Sequence, residues 1–288
     1  MKQICILLLT FGFISCHINP SQHQQFDFTP LDSVISCWMT RNYYPGSSIA
    51  IANKDTLLFE KYYGNYTPDT EVYITSAGKW IEAATIAAIV EKTCLSWDDT
   101  LAQWIPEFKD DPKASITLRQ LLLHTSETTD YYQPPKKDVF MQLAEQMAEI
   151  AGQSDFETLF KRHIGNPLNM NHTSFIPVES EKGQNSILAR EVRTTLNDYM
   201  NFLNMIFHNG TYNNKQVLSE QSILEIQSDQ VNCPGWAGTS SWIDKNNEIY
   251  ALFLTHVEGY SAQKDNFSPY YSGSILSEIV SDIIKKNN

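Results

Sequence analysis

Ser76 and Lys79 are the residues whose types and spacing best suit chemistry. Three residues apart on a helix, a hydroxyl and an ammonium share one face, about one turn from each other. A lysine held beside a serine can take its proton, and the alkoxide then attacks a carbonyl to give an acyl intermediate that water resolves. Acyl transfer is therefore the reaction class this pair would support. Little else in the sequence names an activity. The seven histidines form neither His-x-x-x-His nor His-Glu-x-x-His, which argues against a metal site. There is no glycine-rich phosphate loop, and no cofactor is expected.

The pair alone is weak. At average composition a Ser-x-x-Lys match arises by chance about once in a chain of this length. Ser261-Ala262-Gln263-Lys264 is a second copy, set among Asp265, Asn266 and Pro269 with no helix directly after it, and reads as a solvated loop. The elements around Ser76 distinguish the first copy. Ser47 to Asn53 and Thr56 to Tyr63 read as strands joined at Asn53-Lys54-Asp55. Ser76 to Lys92 reads as a helix with so few polar positions that most of it must be buried.

Upstream, Asp27 to Tyr43 has Phe28, Leu31, Val34, Ile35 and Trp38 on one helical face. Downstream, helices are expected at Ile116 to His124, Val139 to Ala151, Asp155 to His163, Asn197 to His208 and Ser219 to Ser228. Strands follow at Gly238 to Ile243 and Glu248 to His256, and a closing helix at Ser272 to Lys286. The order predicts an α/β (α+β) fold: an antiparallel sheet drawn from both chain ends, flanked by helices, with a helical lobe inserted. Parallel βαβ units are not seen. The expected division is 27–75 with 232–288 as the α/β part, and 76–231 as the mainly helical part.

A chain of 288 residues, 42% hydrophobic and 19% charged, is long enough for one large core or two intergrown lobes. Its net charge of −12 argues against nucleic acid and anionic membrane surfaces as partners. The expected partner is a small-molecule or peptide substrate, and the oligomeric state is not readable. Lys2 followed by the apolar run Ile4 to Ile14 reads as an export signal too short to span a bilayer. It ends at Ser15-Cys16, similar to a bacterial lipobox with Cys16 lipidated; an ordinary cleaved signal is the alternative. Residues 1–16 thus read as a signal, 17–26 as a tether and 27–288 as the folded domain, exported to the periplasm or cell envelope, with any membrane attachment through the lipid at Cys16 alone. Cys37, Cys94 and Cys233 give no disulfide framework or zinc pattern.

The flanks also carry a family resemblance. Ser76-Ala77-Gly78-Lys79-Trp80 is followed by Leu95-Ser96-Trp97-Asp98-Asp99, Trp104-Ile105-Pro106-Glu107-Phe108, and Leu121-Leu122-Leu123-His124-Thr125-Ser126. Later come Gly152-Gln153-Ser154, Asn166-Pro167-Leu168-Asn169-Met170 with Thr173 and Phe175, Asp198-Tyr199, and Gly235-Trp236-Ala237-Gly238-Thr239. These resemble the β-lactamase-related serine hydrolases, which include class C β-lactamases, D-alanyl-D-alanine peptidases and esterases. The resemblance covers roughly residues 28–285. It implies a β-lactamase/transpeptidase-like fold with Ser76 as nucleophile and Lys79 as its proton partner. It also implies an oxyanion hole from the backbone N–H groups of Ser76 and of Trp236 on the later strand.

Three departures stand beside it. The family's Tyr-x-Asn motif should fall where this chain has Pro135-Lys136-Lys137-Asp138; Tyr131 and Tyr132, just upstream, are either stand-ins or surface aromatics. The third motif, usually Lys-Thr-Gly, His-x-Gly or Ser-x-Gly, reads Cys233-Pro234-Gly235, with a weak thiol donor in place of a stronger one. Glu127 and Arg190-Glu191 occupy positions where the family places glycines. An active serine hydrolase and an impaired member that binds a cell-wall peptide or a protein partner both fit. His124, Asp98-Asp99, Trp80, Trp97 and Trp104 read as structural, and Glu82 as a partly exposed helix residue.

Overall fold

A computed structural model describes residues 26–54, 56–123, 139–175, 192–227, 234–257 and 265–287. The chain opens with helix α1 (Thr29–Thr40) and the hairpin β1 (Gly46–Asn53) and β2 (Thr56–Gly64). The short strand β3 (Val72–Tyr73) leads to a 3-10 turn (Thr75–Gly78) and helix α2 (Lys79–Lys92). Helices α3 (Leu101–Trp104), α4 (Leu118–Leu123), α5 (Val139–Gly152) and α6 (Phe156–Phe160) follow. Next come β4 (Arg193–Thr194), helix α7 (Leu196–Phe207), the small hairpin β5 (Thr211–Tyr212) and β6 (Lys215–Gln216), and α8 (Glu220–Ile226). The chain closes with β7 (Ser240–Asp244), β8 (Ile249–Leu254) and α9 (Ser272–Lys285).

The main sheet is antiparallel in the order β2-β1-β8-β7, so the two chain ends meet at the β1–β8 pair. Side chains alternate between its faces, as strand geometry requires. Ile49, Ile51, Ile249, Ala251 and Phe253 face a core shared with α1 and α9, through Leu31, Ile35, Leu276 and Val280. Ala50, Ala52, Tyr250, Leu252 and Leu254 face the larger core of the helical lobe. In β2, Ile51 pairs with Phe59 and Ala52 with Leu57, leaving Leu58 as a bulge. The extra residue lets Leu58 and Phe59 both pack on the α1 side.

Helix α2 is buried on every side from Trp80 to Ile89, in accord with its apolar sequence. Glu82 lies inside that stretch at 5% exposure, contrary to the expectation of a partly exposed residue. The helix has no solvent face because it packs against α5, α8 and the π turn at Lys161–Gly165. Boundaries moved where single residues forbid continuation. α1 stops at Thr40 because Asn42 turns left-handed (φ 56°) and Tyr43 N–H closes on Trp38 O. β7 begins at Ser240 because Gly238 adopts φ 107°.

Candidate active site

Ser76 sits in the 3-10 turn that joins β3 to α2, and both Ser76 and Lys79 are half-buried. Lys79 N–H donates to Ser76 O, so the two residues share one tight turn at the mouth of the buried helix. The turn is entered through Thr75 at φ 51°, a left-handed conformation that a β-branched residue rarely adopts. Strain of this kind costs about 1–3 kcal/mol and persists only where the surroundings fix it. Three contacts do so. Upstream, β3 pairs with β4 at Val72–Thr194 and Tyr73–Arg193, and Ile74 N–H continues the ladder to Val192 O.

From beneath, the fully buried Tyr199 on α7 donates its hydroxyl to Ala77 O at 2.8 Å and lies 3.3 Å from Ser241 Oγ on β7. On the third side, Gly235 presses directly on the turn. A Cβ built on Gly235 would lie 2.4 Å from Ile74 O and 2.5 Å from Thr75 Oγ1, closer than any side chain tolerates. The Gly235–Trp236 peptide therefore runs beside the Thr75–Ser76 turn. Trp236 is not on the later strand as expected. Gly235 N–H bonds Thr239 O and Gly238 N–H bonds Gly235 O, which closes residues 235–239 into a tight loop before β7. Among the described residues nothing accepts a hydrogen bond from Trp236 N–H.

His256, just past β8, completes this corner and was not singled out from sequence. Its Nδ1 is 2.8 Å from Tyr73 O, and its ring centroid lies 6.2 Å from that of Trp236. The only sequence signal for it is register. Continuing the β7–β8 hairpin beyond Leu254 brings Thr255 and His256 level with the 235–239 loop, where Thr239 Oγ1 bonds Thr255 O at 2.6 Å and Val257 N–H reaches Ala237 O.

Of the other expected site residues, Cys16, Tyr131, Tyr132 and Cys233 lie outside the described residues, as do His124, Glu127, residues 135–138, Arg190-Glu191 and the second Ser-x-x-Lys copy. Asp99 is structural, as read: its Oδ2 accepts from Ser96 N–H and from Trp104 Nε1. Trp80 is core, and Trp97 and Trp104 pack at its margin. Cys37 and Cys94 are free thiols. Asp198 buries its carboxylate to accept from His172 N–H (2.7 Å) and the Thr173 hydroxyl (2.9 Å), and burial pushes its pKa up despite those bonds. Among the described residues no three His, Cys, Asp or Glu side chains are grouped to hold a metal, and no helix is long and apolar enough to cross a membrane.

Residues 31–267 match the β-lactamase family profile. The chain belongs to the β-lactamase family. A β-lactamase candidate from Bacteroides dorei is 37% identical, with a TM-score of 0.82 over 90% of this chain and 99% of that one. A family VIII carboxylesterase (13% identity, TM-score 0.67, 91% and 97% covered) shares the fold. So does an octameric penicillin-binding protein homologue from Pyrococcus abyssi (16%, TM-score 0.62, 89% and 78%). No curated protein matches the chain. Members of this β-lactamase family are serine hydrolases, and the antiparallel sheet with its helical lobe is their β-lactamase/transpeptidase-like fold.

Proposed function

We propose that this chain is a serine hydrolase that opens an ester, amide or lactam carbonyl through an acyl-enzyme on Ser76. The observation that carries the reading is the turn itself: nucleophile and lysine share it, and β3–β4, Tyr199 and Gly235 pin it from three sides. Ser76 Oγ bonds to the carbonyl carbon as its proton passes to Lys79 Nζ. The carbonyl oxygen, now negative, is met by the backbone N–H groups of Ser76 and Trp236. The carbonyl reforms as the leaving alcohol or amine departs with the proton from Lys79. Water then adds to the acyl carbon as its proton passes to Lys79 Nζ, and the carbonyl reforms as Ser76 Oγ departs with that proton, releasing the acid.

Tyr131 or Tyr132 is our proposal for the third proton-transfer group, in place of the tyrosine absent at residues 135–138. Loss of such a group costs about 10²–10⁴-fold, which slows an enzyme of this kind without abolishing it. Covalent labelling by a fluorophosphonate tests the assignment: wild type labels and Ser76→Ala does not. Equal labelling of the two would remove Ser76 as nucleophile. If Tyr131→Phe with Tyr132→Phe labels at the wild-type rate, the stand-in tyrosines fall.

The second reading, an impaired member that holds a cell-wall peptide or a protein partner in the same cleft, draws on the missing tyrosine motif at Pro135-Lys136-Lys137-Asp138 and on the charge at Arg190-Glu191. It requires wild type to bind such a peptide while labelling no faster than Ser76→Ala. We further propose export and lipid attachment at Cys16. Cys16→Ala should then move the protein from the membrane fraction to the soluble one, and an unchanged distribution would overturn that placement.

A further inference from the structure

Helix α7 and the β5–β6 hairpin wall a second cavity, of about 500 Å³, at the Ala52 end of β1. Ala52 on its floor lies six residues along β1 from Gly46, roughly 20 Å at strand rise. Gly46 O is where the Thr255 hydroxyl, next to His256, is bonded. The volume falls in the range of sites that hold small molecules, roughly 300–1,000 Å³.

The lining is unusual for so acidic a chain. Four side-chain amides, Asn201, Asn204, Asn213 and Asn214, meet two tyrosines, Tyr212 and Tyr250. No Asp, Glu, Lys or Arg lines it among the described residues, although the chain carries a net charge of −12. His208 is the one other titratable group there, and its Nδ1 is held 2.9 Å from Asn204 O. Such walls bring no acidic or basic side chain to pair with a phosphate, a carboxylate or a cation, and favour a ligand held by neutral hydrogen bonds.

The walls are set in advance. Asn204 Nδ2 donates to the Tyr250 hydroxyl (2.7 Å), which donates to Lys54 O (2.9 Å). Asn213 and Asn214 both adopt left-handed conformations (φ 47° and 59°), the pattern of a tight type I′ hairpin turn. Among the described residues the Asn201, Asn213 and Asn214 side chains make no hydrogen bond. Each brings both donors and acceptors, which suits hydroxyl and acetamido groups that also do both. Tyrosine rings give an amphipathic surface for the apolar face of a sugar ring, and Leu57, 54% exposed at the rim, extends it.

We propose that this cavity is a saccharide site that takes a neutral, N-acetylated amino sugar unit of a glycan. It is separate from Ser76, so its occupation does not depend on the hydrolase reading. The test is titration of the purified protein with N,N′,N″-triacetylchitotriose, followed by calorimetry and by NMR, with cellotriose and adenosine in parallel. The acetylated trisaccharide should bind saturably. Cellotriose, which lacks the acetamido groups, should bind at least about fivefold more weakly, the worth of one or two lost hydrogen bonds.

Asn201→Ala combined with Tyr212→Ala should weaken binding by at least about tenfold, while fluorophosphonate labelling, read at a temperature where the variant is fully folded because Tyr212 also packs on the helical-lobe core, stays at the wild-type rate. Ser76→Ala should bind the sugar as wild type does. The proposal is overturned by no saturable binding up to about 10 mM, a range that covers the weakest specific sites. It is equally overturned by undiminished binding in the double variant, by loss of binding in Ser76→Ala, by cellotriose equalling the acetylated sugar, or by adenosine binding more tightly than either.

Discussion

Gly235→Ala is the substitution most tightly bound to the geometry of the turn. Its new Cβ would stand 2.4 Å from Ile74 O, about 1 Å short of an ordinary 3.4 Å contact, and 2.5 Å from Thr75 Oγ1. Neither neighbour can rotate away cheaply. Ile74 O is backbone, and Thr75 is β-branched, already left-handed, with its Oγ1 buried and without a hydrogen-bond partner among the described residues. The loop must therefore lift off the turn by about 1 Å, or the turn must move with it. Forcing a methyl group into a packed contact costs about 1–3 kcal/mol. In a chain of this size each kilocalorie lowers the melting temperature by about 2–4 °C.

The chemical cost is larger, because a nucleophile misplaced by about 1 Å loses on the order of 10²-fold in rate. The measurement is the second-order rate of fluorophosphonate labelling, taken at a temperature where the variant is fully folded. Gly152→Ala is the control. Its Cβ would meet the flexible side chain of Leu159 at 2.7 Å in the helical lobe, so it should lower stability and leave labelling alone. A Gly235→Ala protein that labels within about threefold of wild type would refute the coupling of this loop to the position of Ser76, since about 1 Å of displacement predicts far more.

Other perturbations probe the supports of the turn. Tyr199→Phe removes the donor to Ala77 O from a fully buried site and should cost about 1–3 kcal/mol of stability, read by urea unfolding, with labelling slowed about tenfold. Asp198→Ala strands the His172 N–H and Thr173 hydroxyl donors and should cost a similar amount, whereas Asp198→Asn keeps an acceptor and should come within about 1 kcal/mol of wild type. Because burial raises the folded Asp198 pKa, its contribution is fullest below the unfolded value near 3.8 and is lost as pH rises through the folded value. Asp198→Asn should therefore gain on wild type between pH 3 and pH 7. Asp32 has the opposite sign: Lys61 Nζ at 2.6 Å and the Tyr63 hydroxyl at 2.8 Å hold its carboxyl below the usual range. Its stabilisation is present at neutral pH and lost as pH falls through the lowered value. Asp32→Ala should then be up to about 1 kcal/mol less stable at pH 7, and equal to wild type near pH 2, in thermal melts.

Periodicity made the scaffold legible and left the supports of the site hidden, for physical reasons. Helices α1 and α7 were readable because their apolar residues repeat with the helical period, the β1–β2 hairpin from its turn residues, and the buried α2 from an apolar run too long for a strand. The two-residue strands β3 and β4 were missed, because two residues carry no period and form only by pairing across more than a hundred positions. Glu82 was misjudged because a carboxylate normally marks a solvent face, and only tertiary packing shows that α2 has none. His256 was passed over because its role depends on the register of β7 against β8, which no local pattern specifies. Tyr199 was noticed through the family motif alone; that its hydroxyl holds Ala77 O is a contact between residues 122 positions apart.

Thr75 bears most directly on the choice between an active hydrolase and a silent binding cleft. In the sequence it looks unremarkable, since a β-branched residue before a helix suggests extended backbone. In the structure it is left-handed and carries a buried hydroxyl with no partner among the described residues, beside a glycine loop that tolerates no methyl group. Relaxing any one of these would make the fold more stable: glycine at 75 would relieve the steric clash of positive φ, and a looser 235–239 loop would relieve the crowding. A cleft that only held a peptide would need the walls of the groove but not a strained residue immediately before the serine. The strain is concentrated at the residue that sets the direction of Ser76, and every contact that maintains it comes from a different element. That distribution is what a positioned nucleophile requires, and it weighs toward catalysis even where the sequence departs from the family around residues 135–138.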